Sequence, residues 1–284
     1  MLPEAEHRFR ELLADWHGRQ GVGRDSPVFD RVVDADGPAT YGAGGRIARE
    51  LAGFVPLEHC RILDVGCGFN GALIALARAG ACCVGVDLDV ERLALGLERQ
   101  RWHGTRAAVA CGSAFGLPFR DGHFDVVIGS ELLEHVPSRR EVVRELVRVL
   151  RKGGLLYLAF PNLLSLDNAC RDPHHFLPGL TLLPRPLAEL YVQALRHRPL
   201  DVETLPTAWG VARLCRKLGI AACELTSSEA VLLDRIAHPQ TIRNSRARAL
   251  VSGLVALGLR PLLRLAVRVR ATCRPSAVLV GLKS

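Results

Sequence analysis

The sequence predicts an α/β protein built on a doubly wound, mostly parallel sheet, and three observations carry that prediction. From Arg61 onward, apolar runs of four to six residues alternate with longer amphipathic stretches, the rhythm of repeated βαβ units. The runs are apolar without alternation, as in strands covered on both faces. Gly66-Cys67-Gly68-Phe69-Asn70-Gly71 follows the first run and opens the next amphipathic stretch, so its glycines fall at a Rossmann-like strand-to-helix turn.

Ahead of the sheet, residues 3–19 mix Glu, Arg and Leu at helical spacing and residues 41–54 form a second expected helix. Strands are expected at 61–65, 82–86, 106–110, 124–129, 155–160 and 220–225. Between them a helix over 71–79 closes at Gly80, and Asp89 caps another that runs through Gln100. Ser138 and Glu141 have capping-box spacing before a helix reaching Leu150, whose Val142, Val143, Leu146, Val147 and Leu150 make one apolar face. Gly153-Gly154 then turns the chain into the next strand. From Pro161 to Pro206 the rhythm stops, and the segment holds seven Pro together with Asp172, His174 and His175. It is expected to be a cap inserted beside the active site. A helix over 207–218 ends at Gly219, and 277–282 supplies the last strand. The expected organisation is a main domain over 1–240, with N-terminal helices at 1–56, a core at 57–161 and a cap insertion at 162–206, followed by a basic, apolar C-terminal helical segment and last strand at 241–284.

Hydrophobic residues at 49% against 23% charged ones describe a globular chain rather than a disordered one. The net charge of +8 is uneven, because residues 241–284 hold eight Arg and one Lys without an acid and leave −1 for the preceding 240. Nucleic acid is not expected as a partner, since aromatic side chains for base stacking are nearly absent from the basic segment. The apolar run 249–259 is too short to span a bilayer, which takes about 20 residues. Arg260, Arg264 and Arg268 recur every fourth residue on one helical stripe. A helix within 242–272 could therefore lie in a membrane interface or pack on the sheet with its Arg solvated. Nine Cys in an odd, scattered set without paired CxxC spacing suggest small buried hydrophobes in a reducing compartment, and no metal site is expected. The N-terminus lacks the regions of a signal peptide. The expected location is cytoplasmic, with peripheral attachment to the inner membrane face if the C-terminal helix binds lipid.

Asp87 ends the second strand, 21 residues after Gly66, where a carboxylate can accept hydrogen bonds from ribose hydroxyls. An adenosine-containing cofactor follows. Asp64 decides which one, because a carboxylate two residues before the first glycine would repel a pyrophosphate. S-adenosylmethionine has no phosphate and carries an ammonium and a sulfonium.

Ile62-Leu63-Asp64-Val65-Gly66-Cys67-Gly68 and Val84-Gly85-Val86-Asp87 resemble the first two motifs of class I methyltransferases. Gly112-Ser113-Ala114, Leu117-Pro118-Phe119, Phe124-Asp125-Val126-Val127, Glu134-His135-Val136-Pro137 and Leu150-Arg151-Lys152-Gly153-Gly154 follow in the order of the small-molecule enzymes related to the ubiquinone and menaquinone C-methylating enzymes, the methyltransferase type 11 domain. The resemblance spans about residues 60–162. It implies S-adenosylmethionine as cofactor, Asp64 at the methionine end, Gly66, Cys67 and Gly68 along the backbone, Asp87 at the ribose and Leu88 against the adenine. Ser113, Ala114 and Ser130 complete the expected site. Ser113 departs from the Asp usual there, so its bond to the adenine amino group lacks charge assistance.

Methyl transfer is an in-line displacement in which alignment does much of the work, and a hydroxyl acceptor also needs a base. The catalytic candidates are His135, just beyond the fourth strand, and His174 and His175 in the cap. The segment around Asp172 to His175 and Leu182 to Arg185 also resembles bacterial methyltransferases of glycan and lipid assembly. Gly129-Ser130-Glu131 replaces the Asn/Asp-Pro-Pro-Tyr/Phe motif of enzymes that methylate adenine or glutamine nitrogens. These observations favour oxygen or carbon of a small-molecule, glycan or lipid-linked acceptor. The alternative is a non-catalytic S-adenosylmethionine-binding scaffold, which the same glycine loop would serve.

Overall fold

A computed structural model describes residues 4–22, 24–25, 29–196, 199–200, 202–225, 236–241, 245–264 and 276–284. Its strands are β1 (Arg61–Val65), β2 (Cys82–Asp87), β3 (Ala108–Cys111), β4 (Phe124–Ser130), β5 (Leu150–Pro161), β6 (Ile220–Leu225) and β7 (Ser276–Lys283). They form a mostly parallel sheet in the order β3-β2-β1-β4-β5-β7-β6, the α/β architecture expected. Parallel register places Ile62 opposite both Cys83 and Val126, and Val84 opposite Ala108. Ile62, Leu63, Val126, Val127 and Ile128 are fully buried, which accounts for their unbroken apolar runs. The strand order reverses at β1, so the carboxyl ends of β1 and β4 border a topological switch point, where open α/β sheets take ligands.

The helices are α1 (Glu4–Arg19), α2 (Phe29–Asp34), α3 (Thr40–Ala52), α4 (Gly71–Arg78), α5 (Val90–Trp102), α6 (Arg139–Val149), α7 (Leu166–Cys170), α8 (Arg185–Arg196) and α9 (Ala208–Lys217). Asp89 caps α5 by accepting from the amides of Glu91 (2.9 Å) and Arg92 (3.1 Å), and Thr207 caps α9 through Gly210 (3.1 Å). At α6 the Ser138 hydroxyl donates to the Glu141 carboxylate itself at 2.9 Å, a side-chain pair where a backbone capping box was expected. Two strand starts also differ. β3 begins at Ala108 rather than 106, and β5 begins at Leu150. Arg151 is held extended by Asp125 (2.6 Å), and Gly153, at φ 68, makes a bend within the strand where a turn before it was expected.

The chain divides into two compact units, Met1–Ser130 with Arg144–Leu156 and Lys283, and Glu131–Val143 with Tyr157–Leu282 and Ser284. In the first, α1 packs Phe9, Leu13 and Trp16 around Phe69. A π-helical turn over Ala35–Ala39, containing Pro38, joins α2 to α3. A Cβ on Gly44 would meet the Gly71 carbonyl at 2.3 Å, and one on Gly71 the Thr40 carbonyl at 2.6 Å. Glycine at both positions lets the backbones of α3 and α4 touch. Arg99 and Glu6 are fully buried and form a bidentate pair (2.9 and 2.6 Å). The remaining guanidinium donors reach Thr40 Oγ1 (2.9 Å), the Gly37 carbonyl (2.8 Å) and the Phe69 carbonyl (3.2 Å).

In the second unit the stretch expected as a cap is helical. Ser165 caps α7 through the Asn168 amide (3.3 Å). Ala188 and Val192 of α8 pack on Leu177 and Leu180, and Pro186 falls in the first turn, where a missing N–H costs nothing. The Leu163 amide donates to the Pro206 carbonyl (2.9 Å), closing the insertion at its base. Towards the C-terminus a helix covers Ser245–Ala256. Gly258, at φ 76, follows it, so within 242–272 the described helical residues are interrupted at a left-handed glycine. Arg260 and Arg264 follow the break; Arg268 lies outside the described residues. Among the described residues, no helix is long and apolar enough to cross a membrane.

Candidate active site

The expected cofactor residues all belong to the first unit and follow the carboxyl ends of adjacent strands. Asp64 is the penultimate residue of β1 and is buried. Burial, followed by the charge of Asp87, pushes its carboxyl up to about 7. A site that raises a carboxyl this far is stabilised by a positive ligand, and both the ammonium and the sulfonium of S-adenosylmethionine qualify. The glycine turn after β1 uses positive φ at Gly66 (77), Gly68 (48) and Asn70 (60). Among the described residues, no atom beyond its chain neighbours lies within 4 Å of a Cβ built on Gly68. Glycine there serves the backbone conformation and leaves open space beside the chain.

Asp87 holds the turn from β2, accepting from the Gly68 amide through Oδ2 (2.8 Å) and from the Asp89 amide through Oδ1 (2.9 Å). Each oxygen keeps a lone pair for a hydroxyl donor. A Cβ on Gly85 would meet Cys67 Sγ and Leu73 Cδ1 at 2.6 Å, so β2 needs glycine where the turn folds over it. Leu88 is 69% exposed, an apolar face beside the expected adenine position. Ser113 Oγ accepts from the Phe115 amide (3.2 Å), which occupies one lone pair and leaves one for an adenine amino group. Ala114 is buried, and half-buried Ser130 ends β4.

The catalytic candidates belong to the second unit, and there the histidines separate. His135 and His174 meet edge to face, ring centres 5.1 Å apart. His175 is buried, and its carbonyl accepts from Arg196 Nε (2.9 Å). Asp172 has a local duty, accepting from the amides of His174 (3.0 Å) and His175 (2.6 Å). Two acidic residues assigned no role from the sequence join the pair. Glu134 is completely buried, and its carboxyl is pushed up to about 9 by burial first and the charge of Glu131 second. Glu131 stands at φ 52, a strained backbone of the kind that clusters at functional sites. The spacing Glu131-Leu132-Leu133-Glu134-His135 was the available signal. It was read only as part of a family motif.

Residues 63–158 match the family model described as a methyltransferase domain. The chain is similar to norajmaline N-methyltransferase of Rauvolfia serpentina, 34% identical over 33% of each chain. It is also similar to a ubiquinone biosynthesis O-methyltransferase of Rhizobium johnstonii, 32% identical over 55% of this chain and 62% of the relative. The chain thus spans from a third to about three fifths of these relatives' length. Among solved structures, the fold resembles a putative sarcosine dimethylglycine methyltransferase from Galdieria sulphuraria, with TM-score 0.53 and 16% identity over 86% of each chain. The domain match falls on β1 to β5, with the glycine turn and Asp87 inside it. Residues 63–158 thus match a methyltransferase domain, and the sheet has the Rossmann-like fold of the class I enzymes that depend on S-adenosylmethionine.

Proposed function

We propose that the protein transfers the methyl group of S-adenosylmethionine to oxygen or carbon of a small-molecule acceptor, with a glycan or lipid-linked molecule as the finer reading. Asp64 carries the proposal: a buried carboxyl beside an open glycine turn, with its proton held to about pH 7, suits a cationic adenosine ligand and opposes a pyrophosphate. In the reaction the acceptor's electron pair attacks the methyl carbon and the S–CH3 bond breaks. Its electrons neutralise the sulfonium, and the acceptor's proton leaves to a base or to water. His135 and His174 are the imidazoles proposed to take that proton when the acceptor is a hydroxyl. His175 has no proposed role beyond packing. Leu166, Leu182, Leu187 and Leu190 of the cap are all more than half exposed, which supports an apolar or lipid-linked acceptor.

The test combines calorimetry with a transfer assay. S-adenosylmethionine and its demethylated product should bind and NAD should not, and label from the methyl donor should enter a small-molecule or lipid fraction of a cell extract. Binding of NAD alone defeats the cofactor assignment. Cofactor binding without label transfer to any fraction favours the scaffold reading.

A further inference from the structure

Glu134, His135 and His174 each bring a carboxylate oxygen or ring nitrogen within 4.8 Å of the other two. Glu134 is fully buried, and among the described residues no cationic side chain lies within hydrogen-bonding distance of its oxygens. Burying a carboxylate without a cationic partner costs several kcal/mol, and here a second carboxyl, Glu131, faces it. Either a retained proton or a cation answers that cost.

The backbone holds the donors on two fixed segments. The Glu131 amide donates to the Ala159 carbonyl and the Glu203 amide to the Glu134 carbonyl, both at 2.8 Å. Asp172 fixes the turn that carries His174. His135 is exposed and His174 half-buried, so an ion can enter past the rings while the carboxylate stays covered.

We infer that Glu134, His135 and His174 bind one divalent transition-metal cation, with Glu131 as the adjacent carboxylate. Two imidazoles and a carboxylate are a nitrogen-rich set that suits Zn2+ better than Ca2+, which takes oxygen ligands, and Mn2+ serves as a spectroscopic probe of the same donors. Three protein donors leave coordination positions open for water or another oxygen ligand, and with the ion bound His135 and His174 act as ligands and no longer as proton acceptors. This goes beyond methyl transfer itself, which does not require a metal, and replaces the expectation of no metal site. Cysteine spacing guided that expectation, and cysteine takes no part here.

The test needs neither methyl donor nor acceptor. Full-length protein stripped with a chelator is titrated with Mn2+, followed by electron paramagnetic resonance of the free ion, and with Zn2+ against a chromophoric chelator. One equivalent should bind. Glu134→Gln and His174→Ala should each weaken binding by about tenfold or more, while folding cooperatively and binding S-adenosylhomocysteine as the parent does. If a variant fails to fold, His135→Gln at the exposed ring provides the same comparison. Failure of both metals to bind the parent overturns the inference. So does stoichiometric binding that survives all the substitutions, since the ion would then sit elsewhere. Neither result bears on the cofactor assignment, which calorimetry tests separately.

Discussion

Asp64→Asn is the substitution with the most direct thermodynamic consequence. Moving the carboxyl from its ordinary 3.8 to about 7 costs the ionised form about 4 kcal/mol, at about 1.4 kcal/mol per pH unit. Between those two values the folded protein keeps a proton that the unfolded chain has released. Stability from this group therefore falls as pH rises from about 4 to about 7 and levels off above that. Asparagine does not titrate, so the variant lacks this slope. Relative to the parent it should gain stability with pH, approaching about 4 kcal/mol above neutrality as an upper bound, less the cost of burying the amide. Denaturant unfolding of both proteins from about pH 5 to about pH 8 measures the difference. Glu134, with its carboxyl near 9, titrates in the same direction in both proteins and cancels. Binding should move the opposite way: over the same range the parent gains affinity for S-adenosylmethionine as Asp64 ionises, and the variant stays flat and weaker. Identical stability slopes in parent and variant would refute the argument that the site is strained by an uncompensated carboxyl.

Asp87→Ala would remove the proposed ribose hydrogen bonds, worth about 1.5 to 3 kcal/mol, and also removes the anchor of the Gly68 amide, so calorimetry should show cofactor affinity reduced at least about tenfold; Ser113→Asp should raise it, because a carboxylate can hold the Phe115 amide and still accept from an adenine placed there. Gly71→Ala places a methyl 2.6 Å from the Thr40 carbonyl, and the overpacking should cost about 1 to 3 kcal/mol, read as a lower melting temperature. Flotation with liposomes tests the basic C-terminus: salt-sensitive binding to anionic vesicles is expected if Arg260 and Arg264 face lipid, and equal failure with anionic and neutral vesicles removes membrane contact from the proposal.

The sheet was legible because burial on both faces writes itself as uninterrupted apolar runs, as in Ile62-Leu63 and Val126-Val127-Ile128. The expected cofactor positions could be named because each sits within a few residues of a strand end that the same runs located. What escaped depends on distant pairings. Arg99 and Glu6 sit in amphipathic helices, where a charge ordinarily marks the solvent face, yet they bury each other completely. His174 reaches His135 only through the insertion, and no local pattern announces such a contact. The Gly153-Gly154 pair misled for a different reason. Glycines signal a turn, but here one bends a strand whose preceding Arg151 is gripped by Asp125 of the neighbouring strand.

The five N–H donors of Arg99 join pieces that are far apart in the chain: the Glu6 carboxylate on α1, the carbonyl of the π-helical turn, the first residue of α3, and the Phe69 carbonyl in the glycine turn. One guanidinium is thus common to the N-terminal helix and the glycine turn. By linkage, any coupling free energy between them is reciprocal. To whatever extent a ligand steadies the loop, it strengthens the seating of α1, and a seated α1 lowers by the same amount the entropy that the loop must surrender on binding.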